Sequence, residues 1–446
     1  MNMEVKIVKE ESYDVVVAGG GTAGFCAAIA AARTGAKTAV IERFGAFGGT
    51  MTIGGVCAPA MFHAHGKQII AGIAWELMTT LAENGFASLP PEPYDLRHPQ
   101  MSVELNAFQA EVEIDRMIKK AGVHVYFHQT VVYAESENGH VKSILIGTNE
   151  GLKKITGKIF IDCTGDANLS RMAGAEIEIS DELQPGSLNS IFYNVDHAQE
   201  EPEKWRKDFL DKVEKGEMDP HDIWGMNAGA MLTGHGRARG YTYDKNYVIN
   251  IGNNLNHVYP INGADNESRT RGEMEGRESI ARVVKWMNSI PGYENAYVAS
   301  CSPLVSARES ARVVGNAYIT GEDYVRGVVT EDAVCYSFYP IDIHRGKDES
   351  KPLDNEYLTQ GQVPGIPYGS LVAKGFDNLM MAGRIASGDR RAQSAYRIQA
   401  TCMAMGEAAG TAAALAVREG VGADKLDVQL LRRTLKSNGV MVPGME

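Results

Sequence analysis

The 446-residue chain has few cysteines, and none of them is placed for joint work. Cys26, Cys57, Cys163, Cys301, Cys335 and Cys402 are scattered and form no C-x-x-C pair. That excludes the usual iron–sulfur and zinc spacings and predicts reduced thiols in a cytoplasmic protein. Long basic runs are also missing, and the formal net charge is −12. Nucleic acid, which needs a local excess of Lys and Arg, is therefore not an expected partner. An anionic substrate would have to meet its own local arginines. No apolar run reaches the ~18 residues of a membrane span. Met1 to Ser12 is polar and charged, unlike a signal segment, so no membrane partner is expected. With 44% hydrophobic and 22% charged residues, the chain is long enough for two globular domains with sizeable cores.

Glycine, by contrast, is abundant at 48 residues, which suits a backbone wrapped closely around a ligand. Its most informative cluster lies in Tyr13-Asp-Val-Val-Val-Ala-Gly-Gly-Gly-Thr-Ala-Gly24. The apolar run Val15 to Ala18 reads as a buried parallel strand. Gly19, Gly21 and Gly24 follow in G-x-G-x-x-G spacing, and the alanine-rich Phe25 to Arg33 reads as a helix stopped by Gly35. Gly19 permits the tight turn, Gly21 lets the backbone approach a pyrophosphate, and Gly24 allows close helix–strand packing. The helix N-terminus offers free N–H groups to the diphosphate. A second strand, Lys37 to Ile41, ends at Glu42, about 20 residues after the glycines, where an acid can bond a ribose hydroxyl. An ordinary glycine turn with a solvated Glu42 is the competing account. The strand–turn–helix context favours a dinucleotide site.

Farther along, Arg43-Phe-Gly-Ala-Phe-Gly-Gly-Thr50 is a second glycine-rich loop. Helices are expected over Gln68 to Asn84 and Asn106 to Ala121, with a strand at Val123 to Phe127. Residues 130 to 161 alternate with period two around Asn138-Gly139 and Asn149-Glu-Gly151, an antiparallel excursion. The main sheet resumes at Lys158 to Asp162 and runs into Cys163-Thr-Gly-Asp166. Residues 175–361 differ in character, with most of the tryptophans and the charged helix Glu267 to Asn288, and read as an inserted α+β substrate domain. The dinucleotide domain, 1–174, returns over 362–446. There Asp377 to Arg384 is a strand ending in Gly-Arg, and a helix over Thr401 to Ala414 sets Cys402, Gly406, Gly410 and Ala414 on one small-residue face. That face admits either a helix backbone or a flat ligand.

Together these motifs resemble the FAD-dependent oxidoreductases of the glutathione-reductase-like flavoprotein superfamily. Within it, the chain is most similar to the bacterial FAD-dependent oxidoreductase family related to the fumarate reductase flavoproteins. The resemblance covers nearly the whole chain. It rests on Asp14 to Gly24 with Glu42, Gly48-Gly49-Thr50, Asp162 to Asp166, Ser306 to Ser310, Tyr339 to His344, Met381 to Arg384 and Thr401 to Gly406. It implies an α/β fold: a Rossmann-like FAD-binding domain with a parallel sheet, carrying the insert. It also implies FAD held by Gly19, Gly21 and Gly24 at the diphosphate and Glu42 at the adenosine ribose. Gly49 and Thr50 would lie near the flavin ring, Gly165 at the adenine side and Gly383 at the ribityl chain. Thr22, Ala23, Arg43, Asp166, Arg384 and Met403 complete the expected set. The helix beginning near Thr401 would aim its positive end at the flavin N1/C2 edge. Where the family pattern often has His and Glu, this chain has Ser387-Gly-Asp-Arg-Arg391, and no copy of the His and Arg set for fumarate reduction is evident.

The flavin would carry out hydride transfer, leaving the protein to position a small-molecule substrate and move a proton. Candidates are Arg308, for bidentate capture of an anion, with Arg312 four residues on and therefore on the same face of a helix. Structural ion pairs involving Arg308 and Glu309 are the plainer account. His344, beside Asp342 on one strand face, is a candidate general base. Asp389 and Arg390 could reach substrate from the C-terminal loop. His63 and His65 are candidates for a base, a substrate contact or, with Cys57, a covalent flavin tether; otherwise they are plain loop histidines. No carboxylate-rich companion supports a metal there. The leading expectation is an FAD enzyme exchanging a hydride with an alcohol, a sugar-derived compound or a hydroxy acid. The alternatives are a reductase of an activated C=C bond and a flavin-binding electron-transfer subunit. A homo-oligomer is expected only from the frequency of such assemblies.

Overall fold

The computed structural model describes residues 6–95, 101–194, 201–223, 247–248, 255–344 and 353–445. The first five residues of the polar N-terminal segment, and Trp224 of the insert, lie outside them.

The strand β1 spans Ile7–Ala18, longer than its apolar run predicts. Its polar half is extended because backbone pairing carries it: Glu10 to Tyr13 run beside Lys154 to Gly157. Only from Val15 onward are both faces covered, and there the residues are uniformly apolar. A helix, α1 (Thr22–Arg33), leads to β2 (Thr38–Glu42), and α2 (Gly72–Glu83) and α3 (Ala107–Ala121) precede β3 (His124–Phe127). Asn106 accepts the Gln109 N–H and so caps α3. Then come β4 (Thr130–Glu137), β5 (His140–Thr148) and β6 (Gly151–Asp162). Asn138 and Gly139 both take positive φ at the first of these turns, as a tight two-residue hairpin demands.

The sheet order is β3-β2-β1-β6-β5-β4. A last strand, β7 (Leu379–Met381), pairs with the end of β6. The edge of β6 facing away from β1 thus serves two partners in succession. Gly151 to Thr156 pair antiparallel with β5, and Phe160 to Asp162 pair parallel with β7. The sequence places the main sheet's return at Lys158, but the strand is continuous from Gly151.

The long C-terminal helix α4 (Gln399–Glu419) starts two residues before Thr401 and lies against α1. A Cβ at Gly406 or Gly410 would sit 2.0 Å from the Ala23 carbonyl oxygen or 2.1 Å from that of Ala27. The small-residue face therefore receives the α1 backbone, not a flat ligand. The same helix corrects the expectation about apolar runs. By length and hydropathy, 1.3 on average, it matches a membrane span, yet 94% of that stretch is buried inside the protein.

Leu188, Phe209, Val283, Trp286 and Val305 belong to an apolar cluster of the insert's own. Ile319, Tyr324, Val334, Ile341 and Ile366, by contrast, pack into the main core with α1 and α4. The insert's independent core is therefore narrower than 175–361.

One acid is sealed into that main core. Glu407 Oε2 accepts the Ile73 N–H at 2.8 Å near the start of α2, and burial pushes its carboxyl up to about 7. The folded value lies above the ordinary 4.5, so the folded state holds the extra proton. Stability is then lost as pH rises from the ordinary value through 7. Glu407→Gln should add about 3 kcal/mol at pH 8 and nearly nothing at pH 4. Denaturant titrations at the two pH values check this, and an equal effect at both would refute it.

Candidate active site

The turn between β1 and α1 separates its glycines by task. Gly19 has φ +95°, and a Cβ there would meet the Cys163 carbonyl oxygen at 2.5 Å. A Cβ on Gly24 would lie 1.8 Å from the Gly19 oxygen. Both positions are closed by protein. Gly21 differs: its Cβ would meet nothing nearer than the Gly49 Cα at 3.9 Å. No packing demand explains the glycine there, whereas a diphosphate lying over the backbone does. The first helical bond runs from Phe25 N–H to the Gly21 oxygen, so the amides of Thr22, Ala23 and Gly24 precede the helix ladder. Glu42 is buried and not solvated; its two oxygens accept the N–H groups of Gly20 at 2.6 Å and Phe44 at 2.8 Å. Burial raises its carboxyl, and these amide bonds oppose the rise. Arg43 beside it is exposed.

On the facing side, Asp162 fixes the loop after β6 by accepting bonds from Thr164 and Ser170. Gly165 takes φ +78°, and its oxygen accepts Arg384 Nε at 2.5 Å. Buried Asp166 binds Arg384 at 2.7 Å, Arg269 at 2.5 Å and the Ser310 hydroxyl at 2.9 Å. Burial alone would raise its carboxyl, but Arg384, Arg269 and Arg43 outweigh burial and lower it. Gly383, at φ +89°, packs over Ala23. The second glycine loop reaches α4: Gln399 donates to the Val56 oxygen at 2.9 Å and toward Thr50 Oγ1 at 3.4 Å, while its own Oε1 is buried without a protein partner. Thr401 and Met403 are both buried. The Thr401 hydroxyl bonds Ser337, so that side chain is tied into the core.

A two-glycine-loop cradle of this kind, with an acid at the end of β2, suits FAD, and comparison with known proteins decides the matter. The model of the family described as FAD dependent oxidoreductase matches residues 14–435. The chain belongs to that family. This FAD-dependent oxidoreductase is also 53% identical over 53 residues to a dihydrolipoyl dehydrogenase of Trypanosoma brucei brucei, and 48% over 55 residues to dihydrolipoyl dehydrogenase 2, mitochondrial, of Arabidopsis thaliana. Each match covers 12% of this chain and 11% of the relative's length. Among solved structures, it is similar to a geranylgeranyl bacteriochlorophyll reductase-like protein from Thermoplasma acidophilum (13% identity, TM-score 0.44, 96% of this chain and 84% of that one). It is also similar to p-nitrophenol 4-monooxygenase PnpA from Pseudomonas putida (12% identity, TM-score 0.42, 96% and 89%).

The oxidoreductase brings a second constellation together where the insert meets the cofactor half. His344 ends the strand Ile341–His344 and is buried. Its Nδ1 lies 3.1 Å from His257 Nε2, and its Nε2 lies 3.4 Å from Asp342 Oδ2. Burial and then Arg308 push His344 down to about 4, against the pull of Asp342, so the ring is neutral at neutral pH. Burial would raise the Asp342 carboxyl, but His344, Arg397 and Arg308 hold it at about 2. Arg308 donates to the Pro185 oxygen at 2.6 Å and Ser187 at 3.1 Å, and burial followed by Arg397 lowers it to about 9. Arg397 lies 3.6 Å from Asp342 and donates to the Asp342 carbonyl at 3.1 Å.

Several expected placements change. Arg308 and Arg312 do not share a helix. Ser306–Ala307 and Ala311–Val313 are short strands, and Arg312 turns to Glu309 at 3.0 Å. Asp389 caps the helix Arg390–Tyr396 through the Ala392 N–H and holds Gly321 N–H at 2.7 Å, so both of its oxygens serve backbone groups. Arg390 pairs with Glu309 at 3.3 Å. His63 is enclosed by Tyr94, stacked at 4.0 Å, and Trp75, and burial lowers it to about 4. His65 is exposed against Phe338. Burial pushes the Cys57 thiol up to about 12, away from nucleophilic thiolate. Sequence reasoning missed His257, Arg269 and Arg397. None has a local motif, because each is recruited by contacts from distant segments.

Proposed function

We propose that this oxidoreductase removes a hydride from the hydroxyl-bearing carbon of a small hydroxy acid. The observation that carries the reading is the convergence of two guanidinium groups, buried Arg308 and mostly buried Arg397, on the Asp342–His344 pair. Burial lowers both guanidinium groups, and Arg397 lowers Arg308 further, so a carboxylate entering between them would relieve that cost. Arginine suits this task because its planar fork meets a carboxylate with two bonds. FAD, when bound, supplies the hydride acceptor. Glycine-loop amides and Glu42 would hold its diphosphate and ribose, and the Gln399 region would border its ring.

The chain's own residues supply the rest. The neutral imidazole of His344 accepts the hydroxyl proton, and Asp342 stabilises the imidazolium that forms. Asn189 and Ser306 both bond the Gly54 oxygen, four residues past the second glycine loop, which supports a site enclosed from that side. An electron-transfer subunit is the weaker reading, because the six cysteines are scattered without the C-x-x-C spacing of an iron–sulfur partner site. Anaerobic mixing of the holoenzyme with hydroxy acids, and with matched alcohols lacking the carboxylate, tests the proposal. Hydroxy acids should bleach the visible flavin absorption at least tenfold faster than the alcohols. Equal rates would overturn the anionic substrate class. If only unsaturated acids reacted, by reoxidising the chemically reduced holoenzyme, the C=C reductase would replace it.

A further inference from the structure

A proton that leaves a substrate hydroxyl inside a buried site must still reach water. His344 is buried, and so is the group its Nδ1 faces, His257. The other ring nitrogen of His257, Nδ1, lies 3.4 Å from the Tyr259 hydroxyl. Tyr259 in turn is only partly buried, and with His257 and His221 it lines a surface cleft of about 510 Å³ whose charged lining is Asp219, Asp222, Arg271, Glu275 and Glu278. His221 packs edge-on to the Tyr259 ring at 4.9 Å, and its Nδ1 meets exposed Asp219 at 2.9 Å.

We propose that Tyr259 and His257 form a proton relay connecting the acidic cleft to His344. The proposal rests on the hydroxy-acid reading above, since it assigns His344 as the base. Each imidazole passes a proton by gaining it at one nitrogen and releasing it from the other, while the tyrosine hydroxyl donates and accepts in the same step. The sequence balances. Bound FAD would be the hydride acceptor; as the hydroxyl O–H bond breaks, its proton joins His344 at Nε2, the nitrogen beside Asp342. The Nδ1 proton of His344 then moves to His257 Nε2, His257 releases its own from Nδ1 to the Tyr259 oxygen, and the Tyr259 proton passes to water in the cleft. No electrons move along this path. Arg282 binds Asp222 and Glu275, so the excess of negative charge at the exit rests on Asp219 and Glu278, opposed by Arg271.

Two features fit the assignment. Burial, Arg308 and His344 lower His257 well below the ordinary histidine range, so it rests neutral with one donor and one acceptor nitrogen. The segment is also held in place: the His257 N–H bonds the His221 oxygen at 2.9 Å, and Val258 exchanges backbone bonds with Gly186. These bonds fix the His257–Val258 backbone against His221 and Gly186.

His257→Phe and Tyr259→Phe in the FAD-loaded enzyme test the relay, with His344→Ala as the reference. His257→Phe should keep its FAD and lose at least tenfold in turnover, with imidazole added to the buffer restoring part of the loss. Tyr259→Phe, which removes a single hydroxyl and serves if the histidine variant does not fold, should lose several-fold and show a larger solvent isotope effect. A second readout is independent of turnover. Ring nitrogen NMR of histidine-labelled protein should shift the His344 Nδ1 signal on His257→Phe and the His257 Nδ1 signal on Tyr259→Phe. If His344→Ala abolishes turnover while both phenylalanine variants turn over normally, the relay is wrong and the function stands. If His344→Ala itself turns over normally, the assignment of His344 as base fails, and the relay fails with it.

Discussion

Gly21→Val should give a folded protein that no longer holds FAD. The substitution leaves the fold intact because Gly21 has φ −66° and ψ −166°, a conformation open to valine, and its Cβ direction is clear to 3.9 Å. What the side chain would occupy is the space assigned above to the approach of backbone and diphosphate. Affinity for FAD should fall at least about 1,000-fold, or about 4 kcal/mol. Visible absorption after purification, with an FAD titration of the refolded protein, measures it, and far-ultraviolet circular dichroism verifies the fold. A yellow variant with normal affinity would place the diphosphate elsewhere. The neighbouring Gly24→Ala is a poor test of the same idea, because its Cβ would strike the Gly19 oxygen and disturb the turn itself.

The second large effect is on stability. Gly406→Val should cost more than about 4 kcal/mol, in the range reserved for gross steric conflict. A Cβ at that position would sit 2.0 Å from the Ala23 oxygen, and backbone cannot swing aside as a side chain does. Relief requires α4 to separate from α1, which strips contacts from both helices and from the strand beneath them. Gly420→Ala is the control. It carries φ +68° with open space around it, so it should cost only about 1 kcal/mol of backbone strain. Denaturant midpoints compare the two, and a Gly406 variant no weaker than the control would show that the helices have room.

The cofactor half was legible in the sequence because its constraints are local. Gly19, Gly21 and Gly24 sit within six residues of one another and Glu42 ends the next strand, so spacing alone carries the geometry. Asn138-Gly139 is legible for the same reason. The cluster proposed as the catalytic site was only half visible. Asp342 and His344 alternate along one short strand, which sequence can express. His257 reaches His344 across 87 residues and Arg397 reaches Asp342 across 55, and nothing near either residue encodes that meeting. Asp389 has a second, structural task that its position before a helix also allows: it caps that helix, accepting the Ala392 and Gly321 amides. The small-residue face of α4 was ambiguous because a helix backbone and a flat ligand ask for the same missing side chains.

The pairing of α1 with α4 also sets a timetable for the newborn chain. Ala23 leaves the ribosome roughly 380 residues before Gly406, a delay of about 20–80 s at the usual 5–20 residues per second. Over that interval the FAD-binding turn already exists as sequence, but its helix lacks the partner that covers it. Leu379–Met381, which completes the edge of β6, is almost as late. A segment made well before its partner is therefore among the last to be secured, and the tempo of translation governs how long its apolar surface stays available to chaperones.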